Sequence, residues 1–179
     1  MRDARSENLL MNRASGVSEE IIMISLPHWL LNRNCTALKQ HANDWQEAVK
    51  MAVQLLVDAQ AVQWEYYDAI IRNATEHGPY FLPVPGFAMP HAEPGHGVFE
   101  TCFSLVTLTE PVVFGHEEND PVYVILCVAA ANQNELNEAA LIQIMNLLEF
   151  DEELVLLRSA TTIEDIKQLF QQIYQEEDD

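Results

Sequence analysis

Basic residues are scarce in this chain. Nine Lys and Arg stand against 28 Asp and Glu over 179 residues, a formal net charge of −19. Such a surface repels a phosphate backbone and an anionic bilayer, which argues against nucleic-acid binding and polybasic membrane attachment. It attracts a basic protein partner and speeds their encounter, although acidity also serves plain solubility. Cysteine is nearly as scarce. Cys35, Cys102 and Cys127 are an odd number without a C-x-x-C pair, and the last two sit in apolar runs as small core residues. Reduced thiols point to the cytoplasm. Long apolar runs are missing as well: none approaches the roughly 18 residues that span a bilayer. The opening "MRDARSENLLMNRASGVSEE" lacks the basic-then-apolar order of a signal peptide. Repeats and low-complexity tracts are absent too, and the length suits one domain with a proper core.

What is there reads as helices around strands. Residues 1–23 are polar and aperiodic, a flexible arm in which Met11 and Met23 offer alternative starts. "IIMISLPHWLLN", broken by Pro27, is expected to lie against the domain that runs over 24–179. Asp44 and Glu47 have capping-box spacing ahead of a helix with Ala48, Val49, Ala52, Leu55 and Leu56 inward. A second helix is expected over Gln63–Glu76, with Tyr66, Tyr67, Ile70 and Ile71 inward, stopped by Gly78 and Pro79. The proline-rich "YFLPVPGFAMPH" suits a sheet edge or a loop. Strands are expected over 98–108 and 121–130, the second buried on both faces. A helix over 134–149 should bury Leu141, Ile144, Met145 and Leu148. After a short helical piece at Leu154–Leu157, Thr161 and Glu164 should cap the last helix, and the acidic tail should fray. The order α-α-β-β-α-α predicts an α/β sandwich, one domain with a mixed sheet flanked by helices.

Three readings compete for the histidine in "PGFAMPHAEPGHG". His91 and His96, with Glu93 and Glu100, could form a metal site, but Pro94 and Gly95 keep a helix from aligning the pair. His91 could instead activate Cys102, although that thiol lies in a strand among apolar residues. The third reading makes His91 itself the nucleophile. Imidazole is largely neutral near pH 7, and the P–N bond it forms is easily broken. Pro90 fixes its own φ and keeps Met89 extended, which limits where the ring points. Gly86, Gly95 and Gly97 would let another backbone approach. A plain structural histidine in a turn stands beside all three.

The motifs "G-P-Y", "P-G-x-A-M-P-H" and "F-x-H-x-x-N-D-P-V", in that order within one domain, resemble the enzyme IIA component of the bacterial phosphoenolpyruvate-dependent sugar phosphotransferase system. The branch is the mannitol/fructose type, nearest the ascorbate-specific subgroup, and the resemblance covers about residues 40–175. It implies a cytoplasmic phosphotransferase component without cofactor or metal. His91 would take a phosphoryl group from phospho-HPr and give it to a cysteine of a cognate IIB, which serves a membrane IIC permease for ascorbate or a related sugar or polyol. HPr presents a basic face, which fits an acidic acceptor. Phe87 and Met89 are docking candidates, with plain strand core as the alternative. The resemblance allows an oligomer.

Two departures from the family pattern stand out. Arginine is usual two places after the histidine, and this chain has Glu93. A second histidine expected near Glu135–Asn137 is missing from "NQNELNE". A phosphohistidine carries about two negative charges, so a carboxylate in place of a cation disfavours it. Arg72 and His116 are candidates to share the phosphate environment. A second reading follows: a regulatory or binding paralogue that keeps the IIA fold and transfers phosphate poorly or not at all.

Overall fold

Residues 24–149 and 151–176 are described in a computed structural model; the arm expected over 1–23 and the fraying expected beyond 176 lie outside the described residues. A four-stranded mixed sheet runs through the middle in the order β1-β3-β4-β2. Its strands are β1 (Thr36–Gln40), β2 (Phe87–Ala88), β3 (Cys102–Val112) and β4 (Val122–Ala129). The central pair is antiparallel, with Phe103 opposite Val128, and each outer strand joins it in parallel. From Cys102 to Leu108 in β3, and along β4 apart from Tyr123, every residue is buried, so helices must cover this part of the sheet on both sides.

Ser25 caps α1 (Leu26–Asn32) by accepting from the His28 amide, and Pro27 stands in the first turn, where no N–H is needed. Pro27 therefore opens a helix and does not break one. The Leu26 amide and Ile24 carbonyl both bond to the Gln143 side chain, which docks this end of the chain on the domain. Asp44 caps α2 (Trp45–Asp58) by accepting from the Glu47 amide, while the Glu47 carboxylate accepts from Asn43 one residue earlier. Buried Ser104 donates to the Ala52 carbonyl and ties α2 to β3. Next, α3 (Glu65–His77) buries Tyr66, Ala69, Ile70 and Ala74, leaving Tyr67 and Ile71 only half-covered.

After β4 the chain winds through α4 (Gln133–Glu135), a π-helical turn at Leu136–Ala140 and α5 (Leu141–Leu147). The wider turn shifts the phase. Leu136, Ala139, Ala140, Ile144 and Leu147 are buried, while Met145 is 51% exposed. The uniform helix expected over 134–149 put Met145 inward because a constant 3.6-residue period cannot anticipate a turn of greater circumference. The chain ends in α6 (Asp151–Ser159) and α7 (Ile163–Glu176). The final cap is one residue later than expected: Asp165 accepts from the Thr161 and Thr162 amides, and the Asp165 amide donates to the Thr162 hydroxyl. Among the described residues no helix is long and apolar enough to cross a membrane.

The phase shift has a measurable consequence. Ile144→Ala, which opens a cavity in the core, should cost about 2–5 kcal/mol in denaturant unfolding. Met145→Ala should stay within about 0.5 kcal/mol. Equal losses at the two positions would put the buried stripe where an uninterrupted helix has it.

Candidate functional site

The strand that leads to His91 is two residues long, so the loop beyond it is held by other means. Gly86, at φ +78, turns the chain into β2, and its carbonyl accepts from the Tyr123 and Val124 amides at the start of β4. Past Ala88, the Met89 amide donates to Phe81 at 2.8 Å, and the Pro90 carbonyl accepts from Val128 at 3.1 Å. The Tyr66 hydroxyl, fully buried, donates to the Val128 carbonyl and accepts from the Ala92 amide at 3.0 Å. The Tyr80 hydroxyl donates to the His91 carbonyl, and the Asn73 side chain bonds to Tyr80 in turn. Every residue from Met89 to Ala92 is thereby tied by its backbone to the sheet, to α3 or to the turn after α3.

The ring is tied as well. Nδ1 of His91 lies 2.8 Å from its own Met89 carbonyl, an acceptor only, so Nδ1 carries the proton. In the neutral ring this leaves the lone pair on Nε2. Tyr80 meets the imidazole edge-to-face at 5.4 Å between centroids. Burial pushes the His91 pKa down, against the opposing pull of the Met89 hydrogen bond. The ring is half-buried and lines an open cleft of about 320 Å³ with Asn73, His77, Tyr80, Glu93, Gln133 and Leu136. A neutral imidazole presenting one nitrogen to a cleft is a nucleophile held in a fixed tautomer.

The predicted site residues are distributed unevenly. Glu93 does share the cleft with His91. Arg72 is exposed on α3 and does not line it, although its neighbour Asn73 does. His116 is engaged elsewhere: its Nδ1 accepts from the Glu118 and Asn119 amides, while Asp120 gathers the Phe114, Gly115 and His116 amides at 2.7–2.8 Å. That loop braces the approach to the site, because Asn119 bonds to the Leu82 carbonyl and to the Gly86 amide. Phe87 has no exposed surface and is removed as a docking residue; its position in β2 turns it into the core. Met89 is half-buried against that core.

The other readings of the loop lose their basis. Among the described residues no three His, Cys, Asp or Glu side chains come close enough to hold a metal ion, and Glu100 bonds to Arg33. Cys102 is fully buried in β3, and desolvation pushes its thiol well above the ordinary range, so it offers no thiolate. Gly97 does not serve an incoming backbone either. A Cβ there would stand 2.7 Å from Glu65 Cγ at the start of α3. Asn73, His77, Tyr80, Gln133 and Leu136 were not foreseen as cleft residues. The signal for Asn73 and His77 was available, since i and i+4 share one face of a helix.

Residues 29–173 match the family described as "Phosphoenolpyruvate-dependent sugar phosphotransferase system, EIIA 2". The ascorbate-specific PTS system EIIA component of Salmonella typhimurium (strain LT2) is 44% identical over 140 residues, 78% of this chain and 91% of that protein. Its counterpart in Escherichia coli (strain K12) is 45% identical over 132 residues, 74% of this chain and 86% of that protein. A crystal structure from Streptococcus mutans described as a PTS IIA superposes with a TM-score of 0.79 at 38% identity, covering 85% of this chain and 96% of that one.

Two measurements check the geometry. Tyr66→Phe strands the buried Ala92 amide and should lower the unfolding free energy by about 1–3 kcal/mol; an unchanged value would mean that the hydroxyl holds nothing. The second concerns pH. With its folded-state pKa lowered, His91 binds fewer protons in the folded chain than in the unfolded one. Its contribution to stability is therefore complete above the ordinary imidazole value of about 6.5, and is lost as pH falls below that and through the folded value. Between about pH 7 and pH 5, wild type should lose more stability than His91→Gln. An equal or smaller loss in wild type contradicts the half-buried, neutral ring.

Proposed function

The chain belongs to the EIIA 2 family of the phosphoenolpyruvate-dependent sugar phosphotransferase system and is one of its phosphoryl carriers, and we propose that the atom that bears the phosphate is Nε2 of His91. The observation that carries this reading is the Nδ1 hydrogen bond to Met89, which supports Nε2 as the nitrogen left for chemistry. In the first transfer the Nε2 lone pair attacks the phosphorus of phospho-HPr, and the P–N bond to the donor histidine breaks. In the second a cysteine thiolate on a cognate IIB attacks, and the bond to His91 breaks, returning the neutral ring. Neither step requires His91 to lose or gain its Nδ1 proton. The protein's task is position, because phosphoryl transfer responds to alignment more than to added reactive groups.

The net charge of −19 favours a basic donor surface such as that of HPr, with encounter rates that fall as salt rises. Ascorbate or a related sugar or polyol is the proposed cargo of the system, on the strength of the ascorbate-specific relatives. The permease and IIB meet that cargo; this chain handles only the phosphoryl group. Glu93 in the cleft favours a second reading, a family member that transfers slowly and serves as a binding or regulatory protein. Labelling decides between them. Incubation with phosphoenolpyruvate, enzyme I and HPr should label the wild type, and His91→Ala should take no label. An unlabelled wild type beside active relay proteins would leave only the second reading.

A further inference from the structure

Phosphorylation of His91 would place about two negative charges in a cleft that already contains the Glu93 carboxylate. Something must offset them. Among the described residues that line the cleft with His91, only His77 can carry a positive charge; Asn73, Tyr80 and Gln133 are neutral, Ala92 and Leu136 apolar. Arg72 and His116 do not line it, and Arg33 pairs with Glu100. Resting on the carrier assignment above, we propose that His77 is the phosphate-holding residue of this protein, its imidazolium facing the phosphoryl oxygens on His91 from the end of α3.

The placement follows from the helix. His77 and Asn73 are i+4 and i on α3, and both reach the cleft. His77 is the last residue of that helix, and Gly78, at φ +79, ends it. A helix C-terminus carries partial negative charge and favours a cationic side chain there. The turn that follows, closed by the Tyr80 amide on the Gly78 carbonyl, sets Tyr80 against His91 and so keeps the end of α3 beside the loop. A phosphoryl dianion arriving nearby favours the charged form of His77, and the charged form favours the phosphoryl group by the same free energy. The competing partner is weak: Glu76 stands 3.9 Å away, with both side chains more than half exposed. In the family pattern the cation is an arginine two places after the nucleophile. Here that position is Glu93, and the cation comes from the preceding helix.

The test is the phosphorylated fraction at equilibrium, read over a series of phosphoenolpyruvate-to-pyruvate ratios with enzyme I and HPr. His77→Phe should lower the apparent equilibrium constant about fivefold, the scale of one exposed charge pair, and the deficit should shrink in molar salt. His77→Arg should restore the wild-type value or exceed it. Because the side chain is exposed, both variants should melt like the wild type. A His77→Phe protein as fully phosphorylated as wild type overturns the proposal, as does a His77→Arg protein no better than His77→Phe. A labelled wild type indifferent to residue 77 removes this proposal alone; a wild type without label removes the carrier assignment and this with it.

Discussion

The hydrogen bond from His91 Nδ1 to the Met89 carbonyl is the constraint on which the site depends. It closes within three residues, so its geometry is set by the local backbone and not by a distant side chain that could drift. Pro90, between the two, has a fixed φ, which narrows the approach of the ring to that carbonyl. The bond assigns the tautomer, and the tautomer assigns the chemistry. The lone pair stands on the nitrogen that is not tied down.

A bond that local would still wander if the loop did. Three elements prevent it. Val128 holds Pro90 from the sheet, Tyr66 bridges Val128 and Ala92 from α3, and Tyr80 takes the His91 carbonyl from the turn after α3. Tyr66 is the centre of this arrangement, since a single buried hydroxyl satisfies one strand carbonyl and one loop amide. The Asp120-centred loop works at one remove, bracing Leu82 and Gly86 on the way into β2. Under the proposed function such rigidity is an advantage, because a docking partner would find the His91 ring already aligned.

Much of this was legible in the residues, and the failures have physical causes. The α/β sandwich with a mixed sheet, the position of β4 and the edge placement of the proline-rich segment followed from periodicity and from the demands of proline. Strand β1 escaped notice because "TALKQ" has neither alternation nor length, and α1 because Pro27 reads as a breaker unless Ser25 is recognised as its cap. The Met145 error came from a π turn that no fixed period anticipates. At the site, the proline-histidine motif singles out His91, and Glu93 lines the same cleft. His116 looked equally eligible. Only the fold reveals that its ring accepts two amides of its own loop. Tyr66, which holds the loop from beneath, and His77, which lines the cleft, read in the sequence as helix core and helix stop, because three-dimensional convergence leaves no mark on linear spacing.

The Nδ1 hydrogen bond leaves Nε2 of His91 as the nitrogen that would take the phosphate. Nitrogen-15 and phosphorus-31 NMR of the phosphorylated protein, with labelled histidine, distinguishes the two isomers by one-bond coupling. The geometry requires phosphorus on Nε2 of His91 with Nδ1 still protonated. Phosphorus on Nδ1 would mean that the Met89 bond breaks before transfer, and the fixed tautomer would then have no part in the chemistry.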